Sequence, residues 1–181
     1  MDHQDHVNLL RAGVPGPGGV WADLGSGTGA FTLALAELLG PGGEIYSVDT
    51  DAAALRRQER SMRARFPQVA VHYRVADYCQ PLALPLLDGV VMANSLHFQR
   101  ERDHAVGLVQ GYLRPGGRLI LVEYDTDRGN PWVPCPLSYE TWREVAQRNG
   151  LIGTTRLAKR PSRFLGHIYS ALSRMPRTEE N

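Results

Sequence analysis

The residues of this chain best suited to hold a ligand are acids at the ends of apolar runs and a glycine-rich turn between two of them. Asp23-Leu24-Gly25-Ser26-Gly27-Thr28-Gly29-Ala30 stands where an apolar run gives way to a helical pattern. Glycines allow a sharp turn and a close backbone approach to a ligand without Cβ clashes. Gly25-x-Gly27-x-x-Ala30 also satisfies the dinucleotide fingerprint, so the glycines alone leave the cofactor open. Asp23 bears on the choice. A carboxylate at the strand end would repel a pyrophosphate but suits the ammonium end of an amino-acid-like cofactor. A glycine turn without a ligand is the plainer alternative.

Further along, Asp49 ends a second apolar run, where a carboxylate can accept both vicinal hydroxyls of a ribose. The competing role is a helix N-cap, which Thr50 or Asp51 could serve equally well. Asp77 could accept from an exocyclic amine or be an ordinary loop acid, and Tyr78 could cover a base or simply pack. Asn94, Ser95 and His97 follow another apolar run. Asn94 could bond a carboxylate; His97 could take a proton near neutral pH, or merely line a cleft or cap a helix. Glu123, Tyr124 and Asp125 end a fifth run, where they could orient an acceptor or terminate a strand. No metal site is expected, because His3, His6, His72, His97, His104 and His167 lack paired ligand spacing.

The elements that must position these groups show in a repeated layout. Three Pro-Gly-Gly turns, at 17–19, 41–43 and 115–117, each launch an apolar run ending in an acid: Asp23, Asp49 and Glu123. Proline and glycine close the preceding helix and supply the turn. The runs read as strands buried on both faces, and open α/β sheets bind ligands at strand carboxyl ends. The pattern predicts strands near 20–24, 44–48, 69–75, 89–94 and 118–124. It predicts helices near 4–12, 29–39, 51–65, 101–113 and 139–149, the last begun by Ser138. Two final strands, near 151–157 and 166–173, are joined through Lys159-Arg160-Pro161-Ser162-Arg163 and so should be antiparallel. The arginines of 56–65 read as a solvated helix face. One domain over 1–176 is expected, with the polar stretch from Arg174 fraying and 177–181 disordered.

Composition narrows the function classes. Twenty Lys and Arg against nineteen Asp and Glu give a net charge of +1, no general bias toward nucleic acid or anionic lipid. No apolar stretch is long enough for a membrane span, and the polar start is unlike a secretory signal. Two distant cysteines, Cys79 and Cys135, argue against a disulfide scaffold or zinc site and suit a reducing cytoplasm.

In this order the motifs resemble the class I S-adenosylmethionine-dependent methyltransferases, of the small single-domain kind. Asp23 to Gly29 is similar to that family's acid-x-Gly-x-Gly-x-Gly motif, Ser47-Val48-Asp49 to its ribose-binding acid, and Ala76-Asp77-Tyr78 to the acid that meets the adenine amine. Residues 84–97 and 113–119 are similar to its fourth- and fifth-strand regions. The resemblance implies a Rossmann-like doubly wound α/β fold with helices on both faces. Its seven-stranded sheet would have order 3-2-1-4-5-7-6, with strand 7 antiparallel. It implies S-adenosylmethionine as cofactor and S-adenosylhomocysteine as product. The cofactor site would use Asp23, Gly25, Ser26, Gly27, Gly29, Asp49, Thr50, Asp77, Tyr78, Asn94 and Ser95, with His97 and Glu123 as the candidates for catalysis. A small-molecule acceptor is expected, with no nucleic-acid or membrane partner; homodimerisation stays open. The loop 126–136, with Trp132 and three prolines, is the expected wall over the cleft. The rival readings are a nicotinamide-dependent oxidoreductase, for which no Tyr-x-x-x-Lys pair is present, and a non-catalytic cofactor-binding subunit.

Overall fold

The computed structural model describes residues 1–177, in which strands and helices alternate as α1 (His3–Leu10), β1 (Gly19–Leu24), α2 (Ala30–Leu39), β2 (Gly43–Asp49), α3 (Ala52–Arg65) and β3 (Ala70–Val75). β4 (Leu87–Ala93), α4 (Arg102–Tyr112), β5 (Leu113–Tyr124), α5 (Tyr139–Arg148), β6 (Ile152–Ser162) and β7 (Gly166–Arg174) follow. A short 3-10 turn, Leu96–Phe98, links β4 to α4. The strands form one sheet of order β3-β2-β1-β4-β5-β7-β6. The first five are parallel, and β7 runs antiparallel between β5 and β6. This is the expected α/β topology.

Alternation along the strands sends apolar side chains to both faces, so each face needs a helical cover. Trp21, Ile45, Val91, Ile120 and Val122 share one core with Val7, Leu10, Phe31, Leu35 and Met62 of α1 to α3. Ala22, Leu24, Val90, Met92, Leu119 and Leu121 share the other with Val106, Val109, Trp142 and Val145 of α4 and α5. Side-chain caps mark the starts of α1, α3 and α5. Asp51 accepts from the amides of Ala53 and Ala54, and Ser138 accepts from Thr141, each cap being worth about 1 kcal/mol. No helix among the described residues is long and apolar enough to cross a membrane.

Two boundaries depart from the sequence reading. Lys159 to Ser162 are not the connection between the last strands. They extend β6, pairing with Gly166 to Tyr169, and the turn is only 163–165. Pairing overrides the proline because Pro161 sits in β6, an edge strand, where a missing amide costs little. The chain from Arg174 does not fray at once: Arg174 ends β7, Met175 donates to Gly117 O, and Pro176 O accepts from Gly116. Of the tail expected at 177–181, all but Arg177 lies outside the described residues.

Candidate functional site

The sheet order reverses direction at β1, with β2 on one side and β4 on the other, leaving a crevice outside their carboxyl ends. The glycine loop hangs on that crevice. Gly25 and Ser26 donate to Val48 O at the end of β2 (2.9 and 3.0 Å), and Gly27 donates to Asp49 Oδ2 at 2.7 Å. Asp49 Oδ1 accepts from Asp51 at 2.8 Å. Asp49 therefore ties the loop to the next helix start, while Asp51 does the capping. Ser95, after β4, donates to Leu24 O at 2.9 Å and closes the crevice from the other side.

Gly25 has φ +76°, and a Cβ there would collide with the Ser95 side chain. Gly27 has φ +54°, and a Cβ there would meet nothing within 4 Å. One glycine is needed for packing, the other leaves room beside the loop. Gly29, at φ +90°, presses on Gln58. Gln58 is a residue the sequence reading missed. It is fully buried in α3 and accepts from Ser47 (3.1 Å) and Ser26 (3.4 Å), bracing the loop from beneath. Within a charged helix its only signal was a neutral amide among arginines.

A cavity of about 300 Å³ opens here, lined by Gly25, Asp49, Thr50, Asp77, Tyr78, Asn94 and Ser95 of the expected set, with Ala76, Phe98 and Gln99 added. Asp77 is exposed and also holds the Cys79 amide at 2.8 Å. Tyr78 is buried, its hydroxyl donating to Ser95 O at 2.8 Å; desolvation holds its pKa above the usual phenol value. Ser26, Gly27 and Gly29 form the loop beside the cavity rather than its lining.

Two oxygens stand out. Asn94 is the only non-glycine residue with positive φ (+51°) among the described residues, and its Oδ1 is buried with no partner. Asp23 is 1% exposed; its Oδ2 accepts from Thr32 at 2.5 Å, but its Oδ1 is also unpartnered. Burial pushes the Asp23 carboxyl up to about 7, the Thr32 hydrogen bond opposes this, and the nearby Asp49 charge adds to it. Buried oxygens without donors are costly, and a left-handed asparagine stores strain. Unpartnered buried oxygens of this kind are uncommon in folded proteins.

His97 and Glu123 come together, but not as cavity lining. His97 is 3% exposed and Glu123 fully buried. The imidazole Nδ1 lies 2.8 Å from Glu123 Oε2, and the His97 amide donates to Oε1 at 3.2 Å. With Nδ1–H donating to Glu123 Oε2, the lone pair of Nε2 is left free. The His97 side chain packs onto Glu123 and does not line the cavity. The loop 126–136 also departs from expectation. Trp132 is 72% exposed, so it is no wall over the cleft, although Cys135 donates to His97 O at 2.9 Å and pins the loop to the site. The basic residues near β6 are largely paired: Lys159 with Asp125 at 2.8 Å, Arg160 with Asp5 at 3.5 Å.

A methyltransferase-domain family model matches residues 22–119, from the core of β1 into β5. The chain belongs to the methyltransferase-domain family. It is 32% identical over 104 residues to the ubiquinone/menaquinone biosynthesis C-methyltransferase UbiE of Pasteurella multocida, which covers 56% of this chain and 38% of that protein. The chain spans half or less of the length of the curated relatives it first matches. Among solved structures, the YcgJ protein of Bacillus subtilis superposes with TM-score 0.77 at 13% identity, covering 97% of this chain and all of that one. The 1,6-didemethyltoxoflavin-N1-methyltransferase of Burkholderia thailandensis, solved with its substrate and S-adenosylhomocysteine, superposes with TM-score 0.75 at 18% identity, covering 96% and 78%. The structural likenesses establish the fold.

Proposed function

We propose that this chain is an S-adenosylmethionine-dependent methyltransferase acting on a small, flat, largely apolar acceptor. One observation carries the cofactor reading: the unpartnered, buried oxygens of Asp23 and Asn94 at the ends of β1 and β4, beside a glycine loop with open space at Gly27. Unpartnered acceptor oxygens fit a cofactor with an ammonium and hydroxyl donors better than a pyrophosphate. Asp23 and Asn94 would serve its amino-acid end, Asp49 and Thr50 the ribose, and Asp77 with Tyr78 the adenine. The sulfonium supplies an already electrophilic methyl, so the protein's work is alignment and exclusion of water.

The acceptor reading rests on a file of rings that starts at Phe98, which lines the cavity. His97 and Phe98 centroids are 4.3 Å apart, His97 and Tyr124 6.1 Å, and Tyr124 and Phe164 5.8 Å. Phe98 and Phe164, at the two ends of the file, are 59% and 50% exposed and are suited to stack another ring. The relatives named for ubiquinone/menaquinone biosynthesis agree with such an acceptor. His97, oriented by Glu123, would take the proton of an acceptor that enters protonated, at Nε2.

The test offers methyl-labelled S-adenosylmethionine with a library of phenols, hydroquinones and flat heterocycles, and separately with bulk RNA and protein. Label is expected in the small-molecule fraction. Label only in RNA or protein, with steep salt dependence, would overturn the acceptor reading.

A further inference from the structure

A second cavity, of about 450 Å³, lies at the opposite end of the strands, where β1 and β5 begin. Arg114, Arg118 and Arg177 line it, and Asp88 is its one acid. That acid is already used: Asp88 Oδ1 pairs with Arg114 at 2.8 Å and Oδ2 accepts from the Val20 amide at 2.7 Å. Arg118 and Arg177 have no ion-pair partner among the described residues. Arg118 reaches a carbonyl, Gly13 O, at 3.1 Å. It also faces Arg174 directly across β5 and β7, a like-charge pair that weakens a sheet unless an anion offsets it. Burial and Arg174 together hold the Arg118 pKa below its ordinary value.

The floor of this cavity carries a further donor. Trp21 is 1% exposed, its six-membered ring edge lies over Gly89 of β4, and its Nε1 lies toward Gly19 at the cavity. That N–H has no acceptor among the described residues. Two guanidinium forks and an indole N–H, with the local acid already paired to Arg114, make a donor-rich cage of a kind that receives phosphate groups.

We infer that this cavity is a second ligand site, binding a small phosphate-bearing anion through Arg118, Arg177 and the Trp21 N–H at the amino ends of the strands, away from the cofactor cavity. The anion would relieve the Arg118–Arg174 repulsion and satisfy the indole. The inference does not depend on the methyl-transfer reading, because it uses no residue of the cofactor site.

Isothermal titration of the full chain with inorganic pyrophosphate at near-physiological salt tests it, alongside R118Q/R177Q and, separately, Trp21→Phe, which keeps the ring but removes the donor. Saturable binding is expected in the wild type, weakened at least about tenfold in R118Q/R177Q and severalfold in Trp21→Phe. S-adenosylhomocysteine titration serves as the folding control and should change by less than about twofold. Should either variant lose that control signal, pyrophosphate protection of the wild-type Tm becomes the measure, with a rise expected. No pyrophosphate binding, no rise in Tm, or equal affinity in folded wild type and R118Q/R177Q would overturn the site.

Discussion

Asp23→Asn offers a direct probe of the buried carboxyl, because its effect has opposite signs on stability and on cofactor binding. Burial raises the Asp23 pKa from 3.8 to about 7. At 1.36 kcal/mol per pH unit, holding it ionised in the folded protein costs about 4 kcal/mol well above pH 7. A carboxyl with a raised folded pKa binds more protons when folded. The stability it contributes is therefore fully present below pH 3.8 and is lost as pH rises through about 7. Between about pH 5.5 and pH 8.5 the wild type should lose about 2 kcal/mol from this group alone. In a chain of this length that is roughly 4–8 °C in Tm. Asparagine does not titrate, so the variant's Tm should fall less over the same range, and the comparison cancels other groups common to both proteins. An unpaired amide at the Oδ1 position costs about 1–3 kcal/mol at every pH, so the slope, not the absolute Tm, is decisive. Cofactor binding should move the other way. An ammonium beside Asp23 favours the carboxylate, so S-adenosylhomocysteine should bind the wild type more tightly above pH 7, releasing a proton near neutrality, and bind Asp23→Asn weakly at both pH values. Thermal scans at the two pH values, with calorimetry in buffers of different ionisation enthalpy, read both effects. Parallel Tm profiles for the two proteins, together with equal cofactor affinity, would refute the reasoning.

Asp49→Ala should weaken S-adenosylhomocysteine by about 1–3 kcal/mol, since it removes the proposed ribose acceptor and frees the Gly27 amide; calorimetry showing unchanged affinity would take Asp49 out of the site. Gly25→Ala and Gly27→Val should separate fold from ligand. The first drives a Cβ into Ser95 at positive φ and should cost stability, about 1–3 kcal/mol in urea unfolding, whereas the second fills open space and should chiefly abolish cofactor binding, even though it also strains the backbone. His97→Gln and Glu123→Gln should each lower kcat about 10²–10⁴-fold for an acceptor carrying an ionisable proton, with cofactor affinity nearly unchanged. A fall in cofactor affinity with normal turnover would instead mark the pair as structural.

Much of this molecule was written locally. The three Pro-Gly-Gly turns and the acids closing their runs depend on neighbours a few residues away, so the order of elements and the placement of Asp23, Asp49 and Glu123 at strand ends were legible in the sequence alone. The glycine loop was legible for the same reason, because left-handed backbone is a property of residue type. What stayed hidden depends on contacts between distant segments. Only packing decides that Gly25 abuts Ser95 while Gly27 faces open space, since the two glycines look alike in the chain. Only packing turns His97 onto Glu123, 26 residues away, and brings Gln58 beneath the loop. The β6 extension through Pro161 is a matter of edge pairing, which local propensity cannot foresee. Charge follows the same division. The sequence shows a near-neutral total, but the tertiary structure decides that Lys159 and Arg160 are matched by acids while Arg118 meets Arg174 across two strands. Composition counts charges without regard to distance, and their electrostatic effect depends on the few ångströms that folding sets.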